Sequence, residues 1–108
     1  MPWTSLCDLD ELQEGTGKYV EIGGFHLAVF LYQGQPYVLD NTCPHAGASL
    51  APGSIDDGCV VCPRHSWPFR LDNGQLRGSP GVAITSYKTR IVHPEGRPKI
   101  VQADLPIY

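Results

Sequence analysis

A chain of 108 residues can enclose one hydrophobic core but not two, so a single domain over residues 1–108 is expected. With 42% hydrophobic and 18% charged residues the composition is that of an ordinary globular protein, and a net charge of -3 with a pI near 5.7 leaves no basic face for nucleic acid. No window is long and apolar enough to span a bilayer and no signal-like run opens the chain, so no membrane partner and a cytoplasmic location are expected.

Twelve glycines and ten prolines are spread along the chain at turn-like positions, which argues for many short strands. Residues 8–12 are compatible with one helical turn capped by an aspartate. Residues 18–22 and 25–32 flank Gly23-Gly24, a two-residue hairpin signal. In the second run Phe25, Leu27, Val29 and Leu31 form an apolar face, leaving His26 on the opposite, solvated side. Gln33-Gly34 then turns the chain into a strand over residues 36–40.

Residues 59–61 read as a strand entering a loop, and residues 67–71 as a strand leaving it. Asn73-Gly74 is the strongest hairpin turn by composition, suited to positive φ at both central residues. A strand over 86–92, a loop over 93–98 with His93 exposed, and a strand over 99–102 complete the chain. No stretch supports a long amphipathic helix, and the periodicity reads as all-β.

Two boxes stand out against this scaffold. Cys43-Pro44-His45 is followed, after a gap of sixteen residues, by Cys62-Pro63-Arg64-His65. Two thiols and two imidazoles arrive as two mixed pairs, one pair per loop. A two-iron, two-sulfide cluster with both cysteines on one iron and both histidines on the other needs such a set. Tetrahedral zinc accepts the same four donors, giving a zinc-stabilised interaction module as the alternative, although zinc sites usually space like with like. Cys59-Val60-Val61-Cys62 also has dithiol spacing, but it sits on a strand rather than at the start of a helix. Cys59 and Cys7 read as small buried apolar residues.

Residues 43–50 and 62–69 together resemble the two cluster boxes of the Rieske iron–sulfur family. The resemblance implies one [2Fe-2S] cluster, with Cys43 and Cys62 on one iron and His45 and His65 on the other. It implies an antiparallel β-sandwich carrying an inserted cluster-binding subdomain over residues 41 to about 81, with Gly78-Ser79-Pro80-Gly81 as a loop covering the cluster. Soluble ferredoxins of this family pass single electrons from a flavin reductase to a terminal oxygenase. The chain is also similar to the small subunit of NAD(P)H-dependent nitrite reductases, whose partner is the large subunit. Neither role requires a catalytic site in this chain, and only His26 and His93 remain as further histidines.

High-potential members carry a serine two positions and a tyrosine four positions after the second histidine. Here those positions hold Trp67 and Phe69, which suit core packing beneath the loop and supply no hydroxyl to sulfur. Such members also staple their loops with a disulfide, at positions that are Ala48 and Arg64 here. A low-potential centre near roughly -150 mV is therefore expected. Arg64 reads as an exposed charge that tunes docking. Most members have glycine directly after the second histidine, and this chain has Ser66. If that position needs positive φ, serine costs about 1–2 kcal/mol of local strain. The loop either tolerates it or turns its hydroxyl toward the cluster.

Overall fold

The computed structural model describes residues 3–42, 49–64 and 66–106. Among these the chain forms β1 (Trp3–Asp8), a 3-10 turn (Leu9–Glu11), β2 (Gly17–Ile22), β3 (Phe25–Tyr32), β4 (Gln35–Asp40) and β5 (Ser54–Asp56). There follow β6 (Cys59–Val61), β7 (Pro68–Arg70), β8 (Gln75–Leu76), β9 (Ser79–Ala83), β10 (Ser86–Tyr87), β11 (Thr89–Val92) and β12 (Ile100–Asp104). Three antiparallel sheets result, with orders β1-β12-β11, β10-β4-β3-β2 and β5-β6-β7-β8-β9. The fold is all-β, as its sequence pattern indicates.

The β10-β4-β3-β2 sheet is the middle layer, because β3 and β4 bury both faces. Val29 opposes Val38, and Ala28 opposes Leu39. The first pair, with Leu27, packs against Cys7, Leu12, Val101, Ala103 and Leu105 of the β1-β12-β11 side. The second pair, with Phe30, packs against Leu50, Val60, Cys62, Phe69, Leu71 and Ile84. Alternation alone suggests one apolar face in β3, but residues 27–31 are an unbroken apolar run, the pattern of a strand covered on both sides. Each fully buried Leu or Phe here contributes about 1.5–3 kcal/mol.

β4 and β10 are hydrogen-bonded neighbours, with Leu39 opposite Ser86 and Val38 opposite Tyr87. Everything between them, including the whole five-stranded sheet, is therefore an insertion between two adjacent strands of the middle sheet. The hairpin at Gly23-Gly24 forms as expected, with φ of 57° and 84° and Ile22 opposite Phe25.

Several elements differ from the sequence expectation. Only Gly74 of Asn73-Gly74 has positive φ; the chain there makes a longer turn in which Gly74 N–H donates to Arg70 O at 2.8 Å and the Asn73 side chain accepts from Gln75 N–H. The expected 86–92 strand breaks at Lys88, because β10 belongs to the middle sheet and β11 pairs with β12. The stretch expected as a covering loop at 78–81 runs into β9, which among the described residues is an edge strand paired with β8. The 3-10 turn, by contrast, has Asp8 at its N-cap as expected, and Glu11 completes a capping box, its carboxylate accepting Asp8 N–H at 2.8 Å.

Candidate metal centre

Of the four expected ligands, Cys43, His45 and His65 lie outside the described residues and Cys62 within them. Cys62 is fully buried at the end of β6, in the apolar cluster that also holds Leu50, Val60 and Phe69. Its N–H donates to Trp67 O at 2.9 Å, continuing the β6–β7 ladder one step past Val61 and Pro68. Its own carbonyl accepts from Ser66 N–H at 2.9 Å. These two bonds turn the chain back from Cys62 to Trp67, and the turn closes through Ser66 at φ 59°. The position does need the left-handed region, and serine occupies it with its side chain exposed.

The first loop is pinched at a neck. Thr42 and Ser49 form an antiparallel bridge, and Leu50 N–H donates to Asn41 O at 2.7 Å. The Asn41 side chain donates to Ser49 Oγ at 2.8 Å and accepts from Ala51 N–H at 2.9 Å. Just beyond, Gly53 lies so close to the second loop that a Cβ there would meet Val61 O at 2.4 Å. Only glycine permits that approach, so the exit of the first loop runs beside the residue preceding Cys62. Leu50, Ala51, Cys62 and Phe69 belong to one buried cluster, so both loops are rooted on the same apolar floor.

That arrangement suits the donor chemistry. A thiolate buried in apolar surroundings is costly unless a cation compensates it, and a metal ion is the compensation a cysteine ligand receives. The residues that hold Cys62 leave its side chain on the core side of β6, in the apolar cluster with Leu50, Val60 and Phe69. The donor set fits a mixed thiolate–imidazole iron site.

The dithiol alternative fails on strand geometry. Cys59 and Cys62 are three positions apart on an extended chain, so their side chains point to opposite faces. Val60 and Cys62 enter the apolar cluster, whereas Cys59 is not part of it and borders a groove with Asp57, Arg70 and Arg77. Burial pushes the Cys59 thiol up, and burial followed by the nearby Glu11 carboxylate pushes Cys7 up to about 11. Both are buried thiols of low reactivity.

Trp67 is half-buried and Phe69 fully buried, 6.4 Å apart between ring centroids, and both pack on the cluster floor as expected. Arg64 and His93 are exposed, as is His26, whose Nδ1 contacts the Tyr19 hydroxyl. Sequence reasoning passed over Asn41, Gly53 and the Tyr87 hydroxyl, which donates to Asp40 Oδ1 at 2.7 Å. Burial, then that hydrogen bond, raises the Tyr87 pKa above the ordinary phenol value. The available signal for Asn41 was an amide side chain directly before a ligand loop, with serine eight residues on. Among the described residues no helix is long and apolar enough to cross a membrane.

Comparison with known proteins places this geometry in a family. Residues 2–88 match the Rieske [2Fe-2S] domain. A ferredoxin of Metapseudomonas resinovorans is 34% identical over 79 residues, covering 72% of this chain and 74% of the relative. The structure assigned as an NADH-dependent nitrite reductase small subunit from Mycobacterium tuberculosis superposes with a TM-score of 0.84 at 29% identity, over 98% of this chain and 97% of that one. A chain from the complex of reduced oxygenase and oxidised ferredoxin in carbazole 1,9a-dioxygenase gives 0.77 at 30% identity, over 94% and 91%. With buried Cys62 and the paired loop necks, these matches lead to one conclusion: the chain belongs to the Rieske [2Fe-2S] domain family, and its cofactor is a [2Fe-2S] cluster.

Proposed function

We propose that this protein is a single-electron carrier of the ferredoxin type, with Cys43 and Cys62 binding one iron and His45 and His65 the other. The observation that carries the reading is the common floor beneath the two loops, where the end of one box abuts the start of the other and Cys62 is fully buried. When bound, the cluster takes up and releases one electron, and neutral imidazoles on one iron make that easier than in an all-cysteine site. The chain's own residues supply the rest. Cys62 is held from both backbone sides, Phe69 and Leu50 keep its side chain dry, and the exposed Pro63, Arg64 and Ser66 present this end of the molecule to a partner. Phe69 has no polar atom to donate to sulfur, which supports a low potential near roughly -150 mV.

The domain division follows the same logic: one domain over residues 1–108, with residues 41 to about 81 as its cluster-binding subdomain. The chain carries no catalytic site of its own and works in the cytoplasm between a flavin reductase and a terminal oxygenase. The likeness to a ferredoxin found in complex with an oxygenase supports that partner class. A second reading, the small subunit of an NAD(P)H nitrite reductase docking on its large subunit, is supported by the likeness at a TM-score of 0.84.

Iron and acid-labile sulfide analysis with visible and EPR spectra tests the centre. About two irons and two sulfides per chain are expected, and one zinc per chain would refute it. Reduction by a flavin reductase, against co-purification with a sirohaem enzyme, separates the two partner readings.

A further inference from the structure

We propose that Asn41 is a positioning residue for the cluster: its carboxamide presets the first ligand loop so that Cys43 and His45 are presented together. This inference rests on the cluster reading above. Among the described residues Asn41 is the only buried polar one, at 7% exposure. A buried amide is costly unless every group is paired, and here all are. Its N–H donates to His26 O at 2.9 Å, which ties the loop entrance to β3. Its carbonyl accepts from Leu50 N–H at 2.7 Å.

The side chain does what the backbone cannot. Nδ2 donates to Ser49 Oγ at 2.8 Å, and Oδ1 accepts from Ala51 N–H at 2.9 Å. Both bonds cross to the far side of the loop, so the side chain joins entrance to exit in parallel with the Thr42–Ser49 bridge. Asn41 stands two residues before Cys43, and its two side-chain bonds end on Ser49 and Ala51 at the loop's exit. The preceding residue anchors the clamp: Asp40 N–H donates to Thr85 O at 2.9 Å and its carboxylate accepts from Tyr87. A loop closed before metal arrives has less disorder to lose when two of its side chains must meet two irons at once. Asn41 touches no iron in this scheme; it acts through the backbone that carries the ligands.

The test compares Asn41→Ala, Asn41→Asp and Ser49→Ala with the intact holoprotein. Aspartate keeps the acceptor for Ala51 N–H and can accept from the Ser49 hydroxyl, which rotates to donate. The readouts are iron and sulfide per chain, the bleaching rate under an excess of chelator, and the EPR spectrum of the reduced protein, with far-UV circular dichroism checking the fold. Asn41→Ala should keep its strands but lose the cluster about tenfold faster or more, with a changed EPR spectrum. Ser49→Ala should lie between it and the parent, and Asn41→Asp should recover most of the retention. A parent-like rate and spectrum in Asn41→Ala would overturn the proposal, as would an aspartate variant no better than alanine. Should Asn41→Ala fail to fold, Ser49→Ala decides: faster loss supports the clamp and an unchanged rate overturns it. An iron-free parent protein would instead refute the cluster reading itself.

Discussion

Replacing Ser66 by glycine should stabilise the protein, and the size of the effect follows from one backbone angle. At φ 59° the Cβ of an L-residue crowds the following carbonyl, at about 1–2 kcal/mol. Glycine removes that term but has more freedom to lose on folding, by about 0.5–1 kcal/mol. With mid-range values for both terms the net gain is about 0.75 kcal/mol. For a domain of this size 1 kcal/mol corresponds to about 4–8 °C in Tm, so a rise of about 3–6 °C is expected. Thermal melting of the cluster-loaded protein at a fixed scan rate would read it, paired with the bleaching rate at one elevated temperature because cluster loss is irreversible.

Ser66→Ala is the control. It deletes the hydroxyl and keeps the Cβ, so it should melt with the parent and leave the midpoint potential unchanged, as the exposure of this side chain implies. Ser66→Val adds a β-branch at positive φ and should melt lowest. If the glycine variant melts at or below the parent, or alanine matches glycine, strain at this position is not what limits the loop.

Other expectations follow from the site. Phe69→Tyr places a hydroxyl in the cluster that holds Cys62; a hydrogen bond of about 1.5–3 kcal/mol to a charged group would raise the midpoint by on the order of 100 mV, and a static midpoint in protein-film voltammetry would discard this tuning. His45→Cys or His65→Cys should lower the midpoint, since each adds an anionic ligand; no change would sink the ligand assignment. Cys7 has a folded pKa raised from 9.0 to about 11, so the unfolded chain loses its thiol proton first. Its stabilising effect is complete below pH 9 and lost as pH approaches 11, and Cys7→Ala should flatten that part of a urea-stability profile. Tyr87→Phe breaks the bond to Asp40 and should cost about 1–2 kcal/mol in the same assay.

Much of the middle sheet was legible because its signals are local. Gly23-Gly24 dictates a two-residue turn, and the alternation over 25–31 dictates a strand, although it showed only one of the two faces that packing covers. Other features depend on partners distant in the chain. β1 exists because Trp3 pairs with Asp104, and nothing near residue 3 announces that. The break at Lys88 has the same origin, since the chain leaves one sheet for another there. Asn73 has turn chemistry suited to positive φ, yet the path required to bring Gly74 N–H onto Arg70 O gives that conformation to Gly74 alone.

The two Cys/His boxes stand out by residue type and spacing because metal chemistry selects donors one by one, whatever the fold around them. Composition likewise pointed to the strand-rich class. How the boxes meet was decided in three dimensions, by the closeness of Gly53 to Val61, the burial of Cys62 beside Phe69, and the left-handed turn at Ser66. Those depend on where packed layers force the backbone to go, and a sum over many distant contacts leaves no local mark on any one residue.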